Sequence, residues 1–167
     1  MEDIIVVDNF LNKEELDFVA SSSCYEKPWD WEMQISDKPD NGAKTFLRKR
    51  LNGNEYFTSY LFNKIKKHFN YDYKLQDVYL NGQWPGRDGE FHTDANADRT
   101  VILYITPWED PSWGGFTHFM RSPMEHVVIP PLTGRMVNFR SSLMHIGYSY
   151  QNQNCPLRIT AAFKLLL

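Results

Sequence analysis

The chain reads as a mainly β, α+β protein of the sandwich or jelly-roll kind, and three observations predict it. From Leu75 onward, short runs of β-branched and aromatic residues recur between Gly and Pro turns, the pattern of antiparallel sheets rather than a parallel α/β sheet. Helical periodicity is confined to the first half. At 167 residues the chain has the length of one domain with a sizeable core. Within it, residues 1–74 carry a strand, helices and a long loop, and residues 75–167 carry the β core.

The elements follow in order. Ile4-Ile-Val-Val7 is a short strand. Asn12-Lys-Glu-Glu15 has the form of a capping box, and Leu16, Val19 and Ala20 give the following helix one apolar face. Trp29, Trp31, Met33 and Ile35 alternate as a strand does, Ser36 to Gly42 is a dense turn cluster, and Thr45 to Leu51 is a further strand. Connections this long in a compact domain are commonly functional, so Trp29 to Lys49 is a candidate lid. Tyr56, Tyr60, Leu61, Ile65 and Phe69 fall at helical spacing with Lys64, Lys66 and Lys67 off the stripe, which predicts an amphipathic helix with its aromatic stripe in the core and His68 at its surface end.

Composition narrows the function. A net charge of -3 argues against a broad electrostatic grip on nucleic acid, leaving a local patch such as Lys44 to Arg50. Two cysteines, Cys24 and Cys155, make no disulfide framework and suit a reducing compartment. No apolar run reaches the roughly 18 residues of a membrane span, and the first residues lack the features of a signal peptide, so a soluble, cytoplasmic protein without membrane contact is expected.

The chemistry is concentrated in His92-Thr93-Asp94. On an extended strand, residues i and i+2 share a side, so His92 and Asp94 can grip one metal together. His145 adds a second imidazole from elsewhere, completing the two-imidazole, one-carboxylate set of a non-haem Fe(II) site with open positions. His118 and His126 are rival ligands, read as structural or groove residues. Tyr79 and Asn81 alternate on the strand ahead of the triplet. Arg158, a candidate carboxylate clamp, opens a final strand Leu157 to Leu166 on which Thr160, Ala162 and Lys164 share its face. Lys164 is about 20 Å further along. Only one of the two cations is expected to serve the site, and a turn at Tyr150 to Pro156 that lays this strand beside that of His145 selects Arg158.

Taken in order, Tyr79, His92-x-Asp94, Arg99 to Tyr104, Gly114 to Phe119, Pro131 to Gly134, His145-Ile-Gly147 and Arg158 resemble the motifs of the 2-oxoglutarate and Fe(II)-dependent dioxygenases, in particular their prolyl 4-hydroxylase-like branch. The resemblance runs from about Val78 to Leu167, and the opening strand and capped helix share it. Two departures stand out: Ile146 separates His145 from Gly147, and the basic residue is Arg where collagen-type enzymes commonly have Lys. The resemblance implies a double-stranded β-helix (jelly roll) with N-terminal helices packed on one sheet. It implies His92, Asp94 and His145 as catalytic Fe(II) ligands, Arg158 on the distal carboxylate of 2-oxoglutarate, and the Tyr79 hydroxyl touching the cosubstrate.

It further implies conversion of O2 and 2-oxoglutarate to succinate and CO2 as a substrate C–H is hydroxylated, with ascorbate as an accessory by analogy. The expected substrate is a peptidyl residue, proline first, in a protein or peptide that is proline-rich. Trp29, Trp31, Trp84, Trp108 and Trp113, all near turns, are candidates for an aromatic groove that docks such a peptide. Two other readings stand beside this one. The Arg158-x5-Lys164 spacing points faintly to oxidative demethylation of nucleic acid, against which the net charge speaks. A non-catalytic metal-holding jelly roll is the other, and the full set of ligands and clamp speaks against it.

Overall fold

The computed structural model describes residues 2–21, 32–35, 45–94 and 96–167. Its strands are β1 (Ile4–Val7), β2 (Glu32–Ile35), β3 (Thr45–Arg50), β4 (Lys74–Gln83), β5 (Arg99–Tyr104), β6 (Thr117–Ser122), β7 (Glu125–Ile129), β8 (Met136–Arg140), β9 (Met144–Gly147) and β10 (Arg158–Leu166). The helices are α1 (Lys13–Val19), α2 (Phe62–Phe69) and a π-helical segment, Tyr56–Leu61, that runs into α2. A seven-stranded sheet in the order β1-β8-β5-β10-β4-β3-β2 faces a three-stranded sheet, β7-β6-β9, and every pairing is antiparallel. This is the jelly roll with N-terminal helices on one sheet that the sequence predicts.

Period-two alternation builds both faces of the large sheet. On β10, Ile159, Ala161, Phe163 and Leu165 pack with Val78 and Leu80 of β4 against Val19, Phe57, Leu61 and Ile65, forming the core beneath the helices. The other face of these strands carries Arg158, Thr160, Ala162 and Lys164, together with Tyr79, Asn81 and Gln83. Ile4, Tyr104, Phe119, Ile129, Val137 and Phe139, drawn from both sheets, fill one end of the space between them. The polar face lines what remains, a cavity of about 940 Å³.

The capping box forms as predicted. The Glu15 amide donates to Asn12 Oδ1 at 2.9 Å, and the Asn12 amide donates to Glu15 Oε2 at 2.8 Å. The buried Glu15 carboxylate also accepts from the Tyr60 hydroxyl at 2.8 Å and from Lys64 Nζ at 2.6 Å, latching α1 to the helix that follows. Asn12→Ala is expected to cost about 1 kcal/mol, a fall in Tm of about 2–4 °C for a chain of this size. An unchanged melting curve would show that the box contributes nothing.

Three expectations change. Tyr60 is half exposed rather than core, because Phe57, Leu61 and Ile65, four residues apart, form the buried line and leave Tyr60 at its edge. Thr45 to Lys49, placed within the candidate lid, belong to β3, which is bonded to β2 on one side and β4 on the other. The lid's remaining part, apart from β2, lies outside the described residues, as do Trp29 and Trp31. Finally, β10 does not lie beside β9; it crosses to the facing sheet, between β5 and β4. No described helix is long and apolar enough to cross a membrane.

Candidate active site

Residues 89–94 run antiparallel along the chain that enters and forms β9. Gly89 N–H donates to Gly147 O at 3.0 Å, and Asp94 N–H donates to Ser141 O at 2.8 Å. Between them His92 and His145 exchange both backbone bonds, at 3.0 and 2.9 Å. Residues paired directly across an antiparallel ladder share a face, so the two imidazoles come together with centroids 4.3 Å apart. Asp94, two residues on, joins them.

The rings are oriented by the backbone. A nitrogen facing a carbonyl must carry the proton, so His92 Nδ1–H donates to Glu90 O at 2.8 Å and His145 Nδ1–H to Leu143 O at 2.9 Å. Both Nε2 lone pairs then turn toward the Asp94 carboxylate, each 3.6 Å from one of its oxygens. One ligand atom from each of the three residues lies within 4.8 Å of the others. Two imidazole nitrogens and one carboxylate fit Fe(II), with coordination positions left over. Among the described residues this is the one such cluster. His118 and His126 instead pair with each other, Nε2 to Nδ1 at 2.8 Å, across β6 and β7.

Asp94 is tied further. Thr100 donates to its Oδ2 at 2.6 Å, and the Lys164 ammonium also pairs with Oδ2. The expectation that only one of Arg158 and Lys164 serves the site is therefore overturned. The cavity runs along β10, so the two cations occupy different parts of it. Burial alone would raise the Asp94 carboxyl, but Lys164, His145 and Thr100 outweigh it and hold it below the usual carboxylate range.

Burial pushes His145 down from 6.5 to about 4, against the opposing pull of Asp94. The ring is thus neutral, and able to offer a lone pair, across the physiological range. The unfolded chain takes up a proton near pH 6.5 that the folded chain refuses until about 4. Stability from this site is therefore complete above 6.5 and is lost as pH falls through that window, by up to about 3 kcal/mol. In the metal-free protein, Tm should fall between pH 7 and 4, and His145→Gln should flatten the dependence. A wild-type Tm insensitive to pH over that range would contradict the assignment.

Arg158 is buried between the sheets. Its Nε donates to Gly115 O at 2.9 Å, Nη1 to Gln83 Oε1 at 2.8 Å and Nη2 to Thr117 Oγ1 at 3.3 Å. Gly115 holds φ near +79°, and a Cβ there would stand 2.5 Å from the Tyr150 ring, so only glycine brings this carbonyl to the guanidinium. Gln83 is itself aimed by a bond from Nε2 to Gly147 O at 2.9 Å, and the Tyr104 hydroxyl donates to Thr117 at 2.6 Å. No carboxylate among the described residues pairs with Arg158, and two of its five N–H groups are left over. A buried charge in no ion pair, with only the through-space pull of the Asp88 carboxylate, is costly, and this one faces a cavity wide enough for a small dicarboxylate.

Tyr79 and Asn81 both line the cavity, as the alternation predicts. The described tryptophans do not. Trp84 is exposed, Trp108 donates to Gly114 O, and Trp113 packs on Tyr150; the rings at the cavity wall are Phe46, Tyr79 and Phe91. Gln83, Tyr104 and Thr117 join the site beyond the residues that the sequence assigns to it. Gln83 was within reach of the same alternation on β4 that placed Tyr79 and Asn81.

No protein-family description matches the sequence, and no curated protein does. Solved structures do match. A Trichoplax adhaerens prolyl hydroxylase, in complex with a hypoxia inducible factor oxygen degradation domain peptide fragment, superposes with a TM-score of 0.77 at 15% identity, over 98% of this chain and 83% of that one. A Pseudomonas putida prolyl-4-hydroxylase gives 0.74 at 14% identity, over 98% and 93%. SnoK, a non-heme alpha ketoglutarate dependent carbocyclase from nogalamycin biosynthesis, gives 0.75 at 8%, over 98% and 79%. The chain thus has the fold of the 2-oxoglutarate/Fe(II) oxygenases, a fold shared at these identities by enzymes of different reactions.

Proposed function

We propose that the protein is an Fe(II)- and 2-oxoglutarate-dependent dioxygenase that hydroxylates a peptidyl residue, proline in the first instance, within a single domain. One observation carries the cosubstrate: a single cavity holds the His92, Asp94 and His145 cluster and a buried Arg158 that makes no ion pair among the described residues. His92, Asp94 and His145 would hold Fe(II), Arg158 would hold the distal carboxylate of 2-oxoglutarate, and the Tyr79 hydroxyl would contact the cosubstrate elsewhere along its length. Bound Fe(II) supplies the redox chemistry that couples decarboxylation of 2-oxoglutarate to hydroxylation of a substrate C–H.

The chain's own part is positioning. Thr100 and Lys164 fix Asp94 Oδ2, and the Glu90 and Leu143 carbonyls fix the ring tautomers. The Phe119 and Phe139 rings pack on His145 and keep water from that side of the site. The proline reading is supported by the prolyl hydroxylases among the similar structures and by the resemblance of the motifs.

The test is succinate release with Fe(II), 2-oxoglutarate and ascorbate against a peptide panel that includes proline-rich repeats. The reading expects succinate to rise with a proline peptide and that peptide to gain one oxygen atom. Turnover of methylated oligonucleotides in place of peptides would overturn it.

A further inference from the structure

Arg48 stands on the cavity side of β3, with Phe46 and Arg50 on the same alternate positions. Its guanidinium stacks on Tyr79, with Cζ 4.2 Å from the ring centroid, and lies 5.5 Å from the centroid of Phe46. Among the described residues these two rings are its side-chain partners, and Glu32 stands directly across from it on β2. No carboxylate among the described residues pairs with it, and its buried Nε has no acceptor. Directly across the strand pair, Asn81 has an equally buried Oδ1 with no donor.

Of the other cations on the cavity, Arg50 is exposed at the end of β3 and two are occupied. Arg158 is bonded to Gly115, Gln83 and Thr117, and Lys164 to Asp94 and Thr100. Buried polar atoms in native proteins are nearly all satisfied, and exceptions collect where a ligand binds. Here a donor and an acceptor are left open side by side on one wall, and Asp77 Oδ1, also on the cavity, is the third such atom.

The position is informative. Lys164 Nζ lies 5.8 Å from the centroid of the same Tyr79 ring, so one ring separates Arg48 from the ammonium that touches Asp94. A group held by Arg48 would therefore sit beside the metal ligands rather than among them, on the side toward β3. That is the place for a recognition group of a substrate whose reacting carbon faces the metal.

The geometry points to a carboxylate subsite for the substrate. Arg48, braced by Tyr79, takes the side-chain carboxylate of an Asp or Glu near the hydroxylated residue, and Asn81 Oδ1 accepts an N–H of the same peptide. Guanidinium and carboxylate match as a two-bond fork, which a neutral amide does not reproduce. The identity of the carrier rests on the peptide reading above; the carboxylate does not.

The experiment uses the full chain loaded with Mn(II) and N-oxalylglycine, an inert 2-oxoglutarate analogue, and measures binding by calorimetry. The probes are a proline peptide containing a nearby Asp, its Asn counterpart, free L-proline and L-prolinamide. The expected result is a preference of about tenfold or more for the Asp peptide over the Asn peptide. Arg48→Gln, with Mn(II) and N-oxalylglycine still bound, should remove it, and Arg48→Lys should keep part of it. Equal affinity for the two peptides, or a preference that survives Arg48→Gln, would overturn the subsite. If neither peptide binds but L-proline is preferred over L-prolinamide in an Arg48-dependent way, the subsite stands and the peptide reading fails. No preference within either pair overturns the subsite.

Discussion

Replacing Asp94 or His145 with Ala is expected to lower Fe(II)-dependent succinate formation by more than about a thousandfold, since loss of a ligand should exceed the 10–100-fold typical of its supporting groups. The fold should survive. The core beneath the helices is built from the opposite face of β10 and β4 and does not touch these residues. Each variant nonetheless disturbs its surroundings in its own way. Asp94→Ala strands the Lys164 ammonium, which is largely buried, whereas Asp94→Asn keeps the shape and removes the charge. His145→Ala opens a gap against Phe119 and Phe139. Circular dichroism and Mn(II) affinity, measured together, separate loss of metal from loss of fold. Retained activity in either Ala variant, or a bound metal found between His118 and His126, would contradict the ligand assignment.

Arg158 should show the second-largest effect, and of a different kind. Arg158→Lys keeps a charge but loses the fork, so it should raise the 2-oxoglutarate requirement by about tenfold or more with Mn(II) affinity little changed. Arg158→Ala should do more than that. It leaves the Gly115 carbonyl and Gln83 Oε1 without a buried donor, at about 1–3 kcal/mol for each. Its Tm should fall along with its cosubstrate affinity. An unchanged 2-oxoglutarate dependence in both variants would shift the clamp to Lys164.

The parts that sequence reasoning placed correctly are those that local periodicity controls. Period two put His92 beside Asp94 and Tyr79 beside Asn81, and the Asn12 to Glu15 spacing gave the helix cap. What it misplaced depends on strand order, which no single strand records. The polar residues after β9 suggest a tight return, but the connection carries the chain across to the facing sheet, and Arg158 reaches the cavity from there.

The same error separated Lys164 from the site. Measured along one strand it seems remote, but the cavity extends along that strand and Asp94 lies at Lys164's end of it. Arg48 was visible only as one member of a basic run. Alternation gives β3 two faces, and only its register with β4 shows that Arg48 and Arg50 look into the cavity while Leu51, just beyond the strand, joins the core. The tryptophans misled because composition says nothing of direction. Trp108 and Trp113 serve the turn around Gly114, by a hydrogen bond and by packing on Tyr150.

The central claim, that this cavity holds Fe(II) and 2-oxoglutarate together, is tested most directly by anaerobic absorption spectroscopy. Adding 2-oxoglutarate to the Fe(II)-loaded protein should produce the visible charge-transfer band of a 2-oxo acid chelated to ferrous iron. The band should be absent in His145→Ala, and in Arg158→Lys it should require about tenfold more 2-oxoglutarate. A protein that binds Fe(II) but shows no band at saturating 2-oxoglutarate, or a band that survives His145→Ala, would contradict the account.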